Sequence, residues 1–429
     1  MREMKDSGIE WLGDIPVGWS TAKLLNILRQ PICDGPHETP ELINDGGIPF
    51  ISVDSLNNTK FVDLDVAKKH ISEHLYKEYN KKTQLEVGDI LFSKAATIGK
   101  TAIVDNRKFM VWSPLAVIKV DQQKGYNDYI YYLLNCFELI KHISLLGGYN
   151  TQINVGMRAL ERAVIPIPPM NEQMRIANLL DAKFVQVDAL IANQQVQIEK
   201  LKQYKQSLTT EVTTKGLDPN ALMEDSGVEW IGQVPTTWRI ERGKALFQET
   251  DARSVDGSEE LLTVSQYTGI TPRSQKNVNM FEALTLEGYK ICEVGDIAAN
   301  TMWLWAGAIG VSEYRGVISP SYNVYRQKKD NFIPKYLDYL LRAPLLVQEY
   351  ASRSTGIRAS RLRLYPQDFF EILFPIPPKE EQEKIVEFLE NKFTVTDQLI
   401  AIKEAKIEKL QQYKKSLIYE YVTGKKEVV

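Results

Sequence analysis

Two long segments of the chain place apolar residues at every seventh position in two interleaved series. The first segment contains the series Phe184, Ile191, Ile198, Lys205, Val212 and the series Leu180, Val187, Gln194, Leu201, Leu208. The second contains Phe393, Ile400, Ile407, Lys414, Tyr421 and Leu389, Thr396, Lys403, Leu410, Leu417. Sustained heptads predict two long helices that pack as a coiled coil. The alternative is a pair of amphipathic helices, each packed on its own domain.

The start of each helix and one break in the seam repeat between the two segments. Pro166–Pro169 should keep the chain extended, because proline restricts its own φ and the conformation of the residue before it. We expect the first helix to follow, with Asn171 or a near neighbour as its cap and Glu172 in its first turn. Lys205 and Lys414 interrupt the seam at equivalent places, and polar seam residues commonly fix the register of a coiled coil.

The stretches before the helices have mixed patterning. Phe50–Val53, Ile90–Phe92 and Leu115–Val120 are short, apolar and bounded by turn residues, which predicts strands. The apolar period of Tyr129–Leu146 predicts a helix, with a counterpart from Pro334 to about position 350. Each half of the chain is therefore expected to contain a compact α+β module.

The same order of segments occurs twice. Asp6–Trp19 returns as Asp225–Trp238, and Pro166–Phe184 returns as Pro375–Phe393. A Gly-Asp-Ile strand also recurs, but the stretches between these anchors differ strongly. A shared scaffold with divergent loops is what two binding modules with different targets need. Duplication followed by drift is the alternative interpretation.

Connectivity predicts how these pieces are arranged. We expect module one at 1–165, a long helix at 166–216, module two at 217–374 and a second long helix at 375–429. Antiparallel helices would need no long return connection, because module two starts directly after the first helix. They would hold two similar α+β modules at opposite ends of a coiled-coil spacer, with internal pseudo-two-fold symmetry. A helix of about 44 residues spans about 65 Å.

Composition adds a cellular setting. Three scattered cysteines fit a reducing cytoplasm better than a disulfide framework. The N-terminal residues lack the apolar core of a signal peptide, and no apolar run is long enough to predict a membrane span. The net charge of -3 argues mildly against a protein that wraps nucleic acid alone. It leaves room for local basic faces, because affinity follows the charges at the contact.

Taken together, the repeated motifs resemble the specificity subunit of type I restriction-modification systems over essentially the whole chain. The resemblance rests on the order of modules and helices, the paired helix starts Ile165–Gln173 and Phe374–Gln382, the repeated N-terminal motif and the Gly-Asp-Ile strands. It implies a noncatalytic subunit whose modules are target recognition domains. Each domain would read one half of a bipartite site in double-stranded DNA.

The resemblance also implies partners and cofactors. The helices would set the spacer between the half-sites and dock two modification (methyltransferase) subunits. Restriction subunits would complete an ATP-dependent nuclease. S-adenosylmethionine, ATP and Mg²⁺ would bind to the partner subunits, with no cofactor in this chain.

Two stretches in each module are candidates for DNA contact. One follows the Gly-Asp-Ile strand, at Ser93–Thr101 and Asn300–Gly307, and the other precedes the proline-rich helix start, at Gly147–Asn154 and Arg353–Arg363. Lys and Arg neutralise phosphates, whereas Asn, Gln and Arg can pair with base edges. The candidates are Lys94, Lys100, Asn150, Gln152, Asn154, Asn300, Arg353, Arg358, Arg361 and Arg363. A solvated loop with incidental charge is the alternative at each place.

Several other patterns indicate no chemistry. Gly99–Thr101 lacks the earlier glycine of a phosphate-binding loop, since position 94 is a lysine. His70 and His74 indicate an exposed pair on a helix rather than a metal site. Trp11, Trp19, Trp230 and Trp238 repeat unchanged where targets should differ, so we expect them to anchor each module to its helix.

Two other functions remain as alternatives. A fused enzyme would need methyltransferase or nuclease motifs, and the sequence contains no glycine-rich S-adenosylmethionine loop and no convincing cluster of nuclease carboxylates. A coiled-coil scaffold without DNA readout needs only the helices. Such a scaffold would show little or no dependence of DNA affinity on salt.

Overall fold

A computed structural model describes residues 2–43, 46–57, 59–146, 154–276, 285–356 and 362–428. The chain divides into two compact units, one formed by Met1–Gln194 with Ala405–Val429 and the other by Gln195–Glu404. Each unit combines one α+β module with a segment of each long helix. Among the residues described, no helix has an apolar stretch long enough to cross a membrane.

Module one consists of short strands and helices around two apolar cores. Its strands are β1 (Met4–Asp6), β2 (Asp14–Pro16), β3 (Ser20–Lys23), β4 (Cys33–Asp34), β5 (Ile48–Ile51), β6 (His70–Ile71), β7 (Ile90–Ser93), β8 (Thr101–Ile103), β9 (Met110–Val111), β10 (Leu115–Ile118) and β11 (Val164–Ile167). Its helices are α1 (Glu73–Thr83), α2 (Asn127–Leu134), α3 (Phe137–Leu146) and α4 (Met157–Arg162), and the long helix α5 (Met170–Lys215) follows.

Module two repeats this plan. Its strands are β12 (Met223–Asp225), β13 (Gln233–Pro235), β14 (Arg239–Arg242), β15 (Phe247–Thr250), β16 (Leu262–Ser265), β17 (Gly269–Pro272), β18 (Lys290–Cys292), β19 (Ile297–Ala299), β20 (Ile309–Val311), β21 (Gly316–Ile318), β22 (Asn323–Gln327) and β23 (Leu373–Ile376). Its helices are α6 (Gly243–Leu246), α7 (Pro334–Leu341), α8 (Pro344–Arg353) and α9 (Pro366–Phe370), and the long helix α10 (Lys379–Val422) follows.

Each module is built on an antiparallel sheet of four strands in the same order. The order is β4-β10-β7-β8 in module one and β15-β22-β19-β20 in module two. The Gly-Asp-Ile motif enters the third strand of each sheet. Its aspartates, Asp89 and Asp296, accept a backbone N–H at 2.9 Å and pair with Lys119 and Arg326 respectively. The motif fixes the turn before the strand in both modules.

The predicted helix over Tyr129–Leu146 is wrong, because the structure has two shorter helices there. Asn135 ends α2, and its side-chain amide donates to the Tyr131 carbonyl oxygen at 2.8 Å and to Thr101 Oγ1. In module two the break falls before Pro344, which starts α8. A proline lacks the N–H that a helix interior needs, so the sequence did contain that signal.

A hydrogen bond from a tryptophan of the module to a glutamate in the first turn holds the start of each long helix, and we call this contact the latch. Trp19 donates its indole N–H to Glu172 Oε2 at 2.9 Å, and Trp238 donates to Glu381 Oε2 at 2.8 Å. These contacts confirm the expectation that these two tryptophans anchor a module to its helix. Helix α5 begins at Met170, so the cap is a near neighbour of Asn171 rather than Asn171 itself, and Glu172 lies in the first turn as predicted.

The glutamine after each latch glutamate ties the start of the long helix to the start of a short helix of the module, α2 or α7. Gln173 accepts the Tyr126 N–H at 2.8 Å, and Gln382 accepts the Ile333 N–H at 2.8 Å. Both amides also donate to proline carbonyl oxygens of the helix start, at 2.9 and 3.0 Å. The repeated Glu-Gln pair is thus a structural element of the framework.

Unit one holds the start of α5 and the end of α10 together. Tyr129 donates its hydroxyl to the Val422 carbonyl oxygen at 3.0 Å, so α10 ends where α5 begins. Lys414 lies 2.7 Å from Asp188 on α5, with its ammonium 4.3 Å from the centre of the Phe184 ring. The two segments therefore run antiparallel in this unit.

Unit two contains the equivalent contacts. Lys205 lies 2.7 Å from Asp397, with its ammonium 4.5 Å from the centre of the Phe393 ring. Farther along, Gln197 accepts from Lys403 at 2.5 Å, so numbers rise on α5 as they fall on α10. Every predicted heptad position on both helices is buried or half-buried, which confirms the register. Lys205 and Lys414 each interact with an aromatic ring and a carboxylate of the facing helix.

Candidate nucleic-acid interface

The first candidate loop of module one connects β7 to β8. Ser93 braces it, because its hydroxyl donates to the Thr97 carbonyl oxygen at 2.5 Å and accepts the Lys100 N–H at 2.8 Å. Ala96 has a φ of 62°, a left-handed conformation that is uncommon for a residue with a side chain. Ala96 and Thr97 are exposed at the tip. The loop therefore presents backbone and small side chains in a fixed shape.

Lys94 is held at the base of this loop by a buried acid. Its ammonium lies 3.0 Å from Asp34 Oδ2, and the Lys94 side chain is only 11% exposed. Lys82 Nζ lies 3.1 Å from the other carboxylate oxygen, and His37 Nε2 lies 3.0 Å from Oδ2. Burial alone would raise the pKa of the Asp34 carboxyl, but hydrogen bonds from Lys94 and Lys82 hold that pKa below its ordinary value.

We refer to Asp34, His37, Lys82 and Lys94 as the Asp34 cluster. Two lysines on one carboxylate leave a net positive charge, and Lys82 and His37 are 60% and 68% exposed. The outward-facing charge thus sits on Lys82 rather than on the predicted Lys94. Lys82 lies in the last turn of α1, and nothing in its local sequence links it to Asp34, which lies on β4.

The two candidate stretches of module one meet in the structure. Asn154 is exposed and forms an isolated bridge with Ala95, and the Val155 N–H donates to the Lys94 carbonyl oxygen at 2.8 Å. Lys100 is half-buried, with Nζ 3.4 Å from the Val53 carbonyl oxygen. The other candidates of this module, Asn150 and Gln152, lie outside the described residues.

In module two, Asn300 follows β19 and is only 5% exposed. Its amide donates to the Tyr322 hydroxyl at 2.9 Å, and its side-chain oxygen accepts the Met302 N–H at 3.2 Å. Both ends of the side chain are engaged in the protein. Asn300 therefore braces its loop, and a direct base contact would require those bonds to break.

The arginine-rich stretch of module two is closed by an antiparallel bridge. Thr355 and Arg363 exchange backbone hydrogen bonds of 3.0 and 2.9 Å, and Arg363 is exposed. Arg353 ends α8 and forms an ion pair with Glu349 at 2.5 Å, one turn earlier on the helix. Arg358 and Arg361 lie outside the described residues. Arg363 is therefore better placed than Arg353 to reach a phosphate.

Sequence reasoning overlooked an aromatic surface beside Asn300. Trp303 is 48% exposed, and Tyr267, at the tip of the β16–β17 hairpin, is 82% exposed. The two side chains line one cleft. The available signal was a tryptophan pair shortly after the Gly-Asp-Ile strand. Tryptophan is highly buried on average, and a patch of exposed apolar side chains often marks an interaction site.

The histidine pair is not the exposed helical pair that the spacing predicts. His70 lies in β6, whereas His74 lies in α1, whose cap is Ser72. Within the described ranges, no group of three or more His, Cys, Asp or Glu side chains comes together in a way that could hold a metal ion.

Comparison with known proteins identifies the family. The model of the type I restriction modification DNA specificity domain matches residues 16–203 and 291–412. The chain belongs to this family. The two matched segments reach into both modules and both long helices, so the family covers both copies of the repeat.

Curated relatives agree with this assignment, and a solved structure shares the fold. The provisionally assigned specificity subunit of the MjaX type I restriction enzyme of Methanocaldococcus jannaschii is 27% identical, over 96% of this chain and 95% of the relative. The MjaVIII specificity subunit of that organism is 24% identical, over 96% and 93%. A chain from a study of assembly and conformational transition in a type I restriction-modification system has a TM-score of 0.64 at 15% identity, covering 95% and 98%. The scaffold without DNA readout is thus not favoured.

Proposed function

We propose that the chain is the noncatalytic specificity subunit of a type I system and that it reads a bipartite site. Module one, at 1–165, would recognise one half, and module two, at 217–374, the other. The observation that carries this proposal is the contrast between repeated framework contacts and divergent loops. The latch, the Gly-Asp-Ile turn and the seam lysines recur, whereas the loops after β7 and β19 differ in chemistry.

We infer that the candidate residues contribute unequally. Lys82 of the Asp34 cluster and Arg363 would contact phosphates, because both are exposed and cationic. Six further residues remain candidates for contact, namely Lys100, Asn154 and, outside the described ranges, Asn150, Gln152, Arg358 and Arg361. Lys94 and Asn300 would act mainly by shaping the loops, since each is largely buried and bonded to a protein partner. Arg353 would do the same, because its ion pair with Glu349 holds it along α8.

We further propose that α5 and α10, at 46 and 44 residues, set the spacer between the half-sites. Their outer faces would dock two modification subunits, and restriction subunits would join in the cytoplasm. S-adenosylmethionine, ATP and Mg²⁺ would act on those partners. Support for this comes from the family, whose members named above are restriction-enzyme specificity subunits.

An exchange of modules tests the assignment of half-sites. Residues 20–160 would be replaced by the corresponding residues of another family member, and the methylated motif would be mapped with the modification subunits present. We expect one half of the motif to change and the other half to be retained. Loss or change of both halves would contradict modular reading.

A length change tests the spacer. Seven residues would be added to both α5 and α10 at facing heptads, because a whole heptad in each helix preserves the seam. We expect a longer spacer with both half-sites unchanged, since seven residues add about 10 Å of helix. An unaltered spacer would rule out the helices as its determinant. A matched variant with seven residues in α5 alone should disrupt packing instead.

A further inference from the structure

The aromatic cleft of module two is a concave site that the framework does not explain. It has a volume of about 250 Å³ and lies between the β16–β17 hairpin and the loop after β19, with Ser265, Gln266, Tyr267, Asn300 and Trp303 among its lining residues. Two exposed aromatic side chains that line one cleft indicate a binding surface, because each combines a large apolar ring with a polar group and together they form an exposed apolar patch.

The Trp303 ring is held in position by a stacking contact with a residue of its own loop. Trp303 stacks on Trp305, with ring centres 5.7 Å apart and planes 26° apart, and the Trp305 indole N–H donates to the Met302 carbonyl oxygen at 2.9 Å. Trp303 lines the cleft, and Trp305 is not among the lining residues, so Trp305 backs the ring from outside the cleft. Trp303 is therefore presented to the cleft in a fixed orientation.

The hairpin tip that carries Tyr267 is restrained through its backbone. The Tyr267 N–H donates to Ser265 Oγ at 3.2 Å, and Arg342 donates to the Tyr267 carbonyl oxygen at 2.7 Å. Gly269 has a φ of 64°, which favours glycine, and a Cβ there would lie 3.2 Å from the Arg342 guanidinium. The backbone of Tyr267 is fixed while its ring remains exposed, as a contact surface requires.

Size and lining chemistry specify the occupant. About 250 Å³ is below the usual volume of a site for a whole small-molecule ligand, roughly 300–1,000 Å³, and suits one flat ring system. Gln266 and Ser265 add hydrogen-bonding groups to the lining, and the aromatic side chains supply stacking surfaces. In a DNA-recognition module, a flat ring with hydrogen-bonding edges is a nucleobase.

We propose that this cleft receives one base of the half-site read by module two, unstacked from the duplex and held between Tyr267 and Trp303. The inference rests on the proposed assignment of one half-site to module two. The corresponding loop of module one, at 94–100, contains no aromatic residue. We therefore expect base capture at this loop position in module two and not at the equivalent position in module one.

The test uses the chain assembled with its modification subunits and duplexes carrying the mapped site. 2-Aminopurine replaces one base at a time in the second half-site, because its fluorescence reports unstacking and contact with an aromatic ring. The methylated base is left out, since it must leave the duplex to react. We expect one position to respond when the complex forms, and the same scan of the first half-site to give no such response.

Four variants decide whether the cleft causes that response. Trp303→Ala and Tyr267→Ala should abolish it and weaken binding by about 5- to 150-fold, the range expected for loss of one base–aromatic stack. Trp303→Phe retains a ring and should keep the response, as should Val255→Ala, a control at a residue of the same module that is 86% exposed. Circular dichroism of each variant checks that the module remains folded.

Two results would overturn the inference. One is the absence of any responding position, and the other is a response that persists in both alanine variants. If either occurs while the exchange of residues 20–160 still switches one half of the motif, only base capture fails. If the exchange also fails, the proposed half-site assignment fails with it.

Discussion

The loop after β7 and the loop after β19 occupy equivalent places in two similar sheets, yet they present different chemistry. The first is a Ser93-braced turn whose lysine is held by buried Asp34, with the outward charge on Lys82. The second presents Trp303, backed by Trp305. The comparison indicates that the framework determines where each loop lies, whereas the chemistry at that place depends on the loop residues and on neighbours from other elements, such as Lys82 and Tyr267.

The largest expected effect comes from breaking the framework rather than a loop. Trp19→Ala and Trp238→Ala should each destabilise their own unit by about 3–5 kcal/mol, since both side chains are almost fully buried and a large cavity would remain. Denaturant unfolding, followed by near-ultraviolet circular dichroism, measures the loss.

The two variants serve as matched controls for each other. The latch geometry is nearly the same, at 2.9 and 2.8 Å, so similar losses are expected. A loss below about 1 kcal/mol in either unit would show that its latch is not part of the framework.

The next prediction uses pH to test the contribution of Asp34, which distinguishes the loop of module one from that of module two. The pKa of Asp34 is lowered in the folded protein, so its stabilising contribution is complete above the ordinary value of 3.8 and is lost as the pH falls through the lower folded-state value. We expect Asp34→Ala to destabilise unit one by about 1–3 kcal/mol at neutral pH, because Lys94 loses a buried partner.

The pH dependence provides the control for this substitution. Urea unfolding at a series of pH values measures how much stability the protein loses on acidification. In Asp34→Asn, the part of that loss that comes from protonating Asp34, below its ordinary pKa, should be absent. Equal acid sensitivity in the wild type and in Asp34→Asn would argue against the ion pairs of the Asp34 cluster.

A third effect tests whether the outward charge of module one reaches DNA. Lys82→Ala should reduce the slope of log affinity against log salt by about 1, the change expected for one lost phosphate contact. Lys81→Ala, which removes an exposed lysine one residue earlier on α1, should leave the slope unchanged. Fluorescence anisotropy over a salt series measures both. Equal slopes for Lys82→Ala and wild type would remove Lys82 from the interface.

The smallest effect concerns the seam, where the two copies should behave alike. A double-mutant cycle on Lys205 and Asp397 should give a coupling of about 0.2–1 kcal/mol, because the aspartate is 59% exposed and water screens the pair. The cycle on Lys414 and Asp188 should give the same value. A clear coupling in one pair and none in the other would show that the repeated seam contacts are not equivalent.

The framework could be predicted from the sequence where local pattern determines it. The heptad register was recoverable because its period repeats along one helix, and every predicted position is buried or half-buried. The single helix predicted over Tyr129–Leu146 failed because the apolar period continues across Asn135, whose side chain ends α2 by bonding to Tyr131 and Thr101. A period alone does not report such a local competitor.

For the candidate site, the sequence predicts stretches of chain but not which of their side chains are exposed. The stretches after β7 and β19 were identified, yet Lys94 and Asn300 turned out to have protein partners, Asp34 and Tyr322. Those contacts join residues distant in sequence, so composition cannot reveal which side chains remain free. The exposed ring of Tyr267 was overlooked for the same reason, since only the folded hairpin brings it to the cleft of Trp303.

The central claim is that two modules read two separated half-sites. It is tested most directly by mapping methylated bases in the DNA of a host that carries this gene with its modification subunits, and in the same host with the gene deleted. We predict a motif of two defined segments separated by unspecified bases, present in the first host and absent from the second. A continuous motif, or a split motif that survives the deletion, would contradict the account.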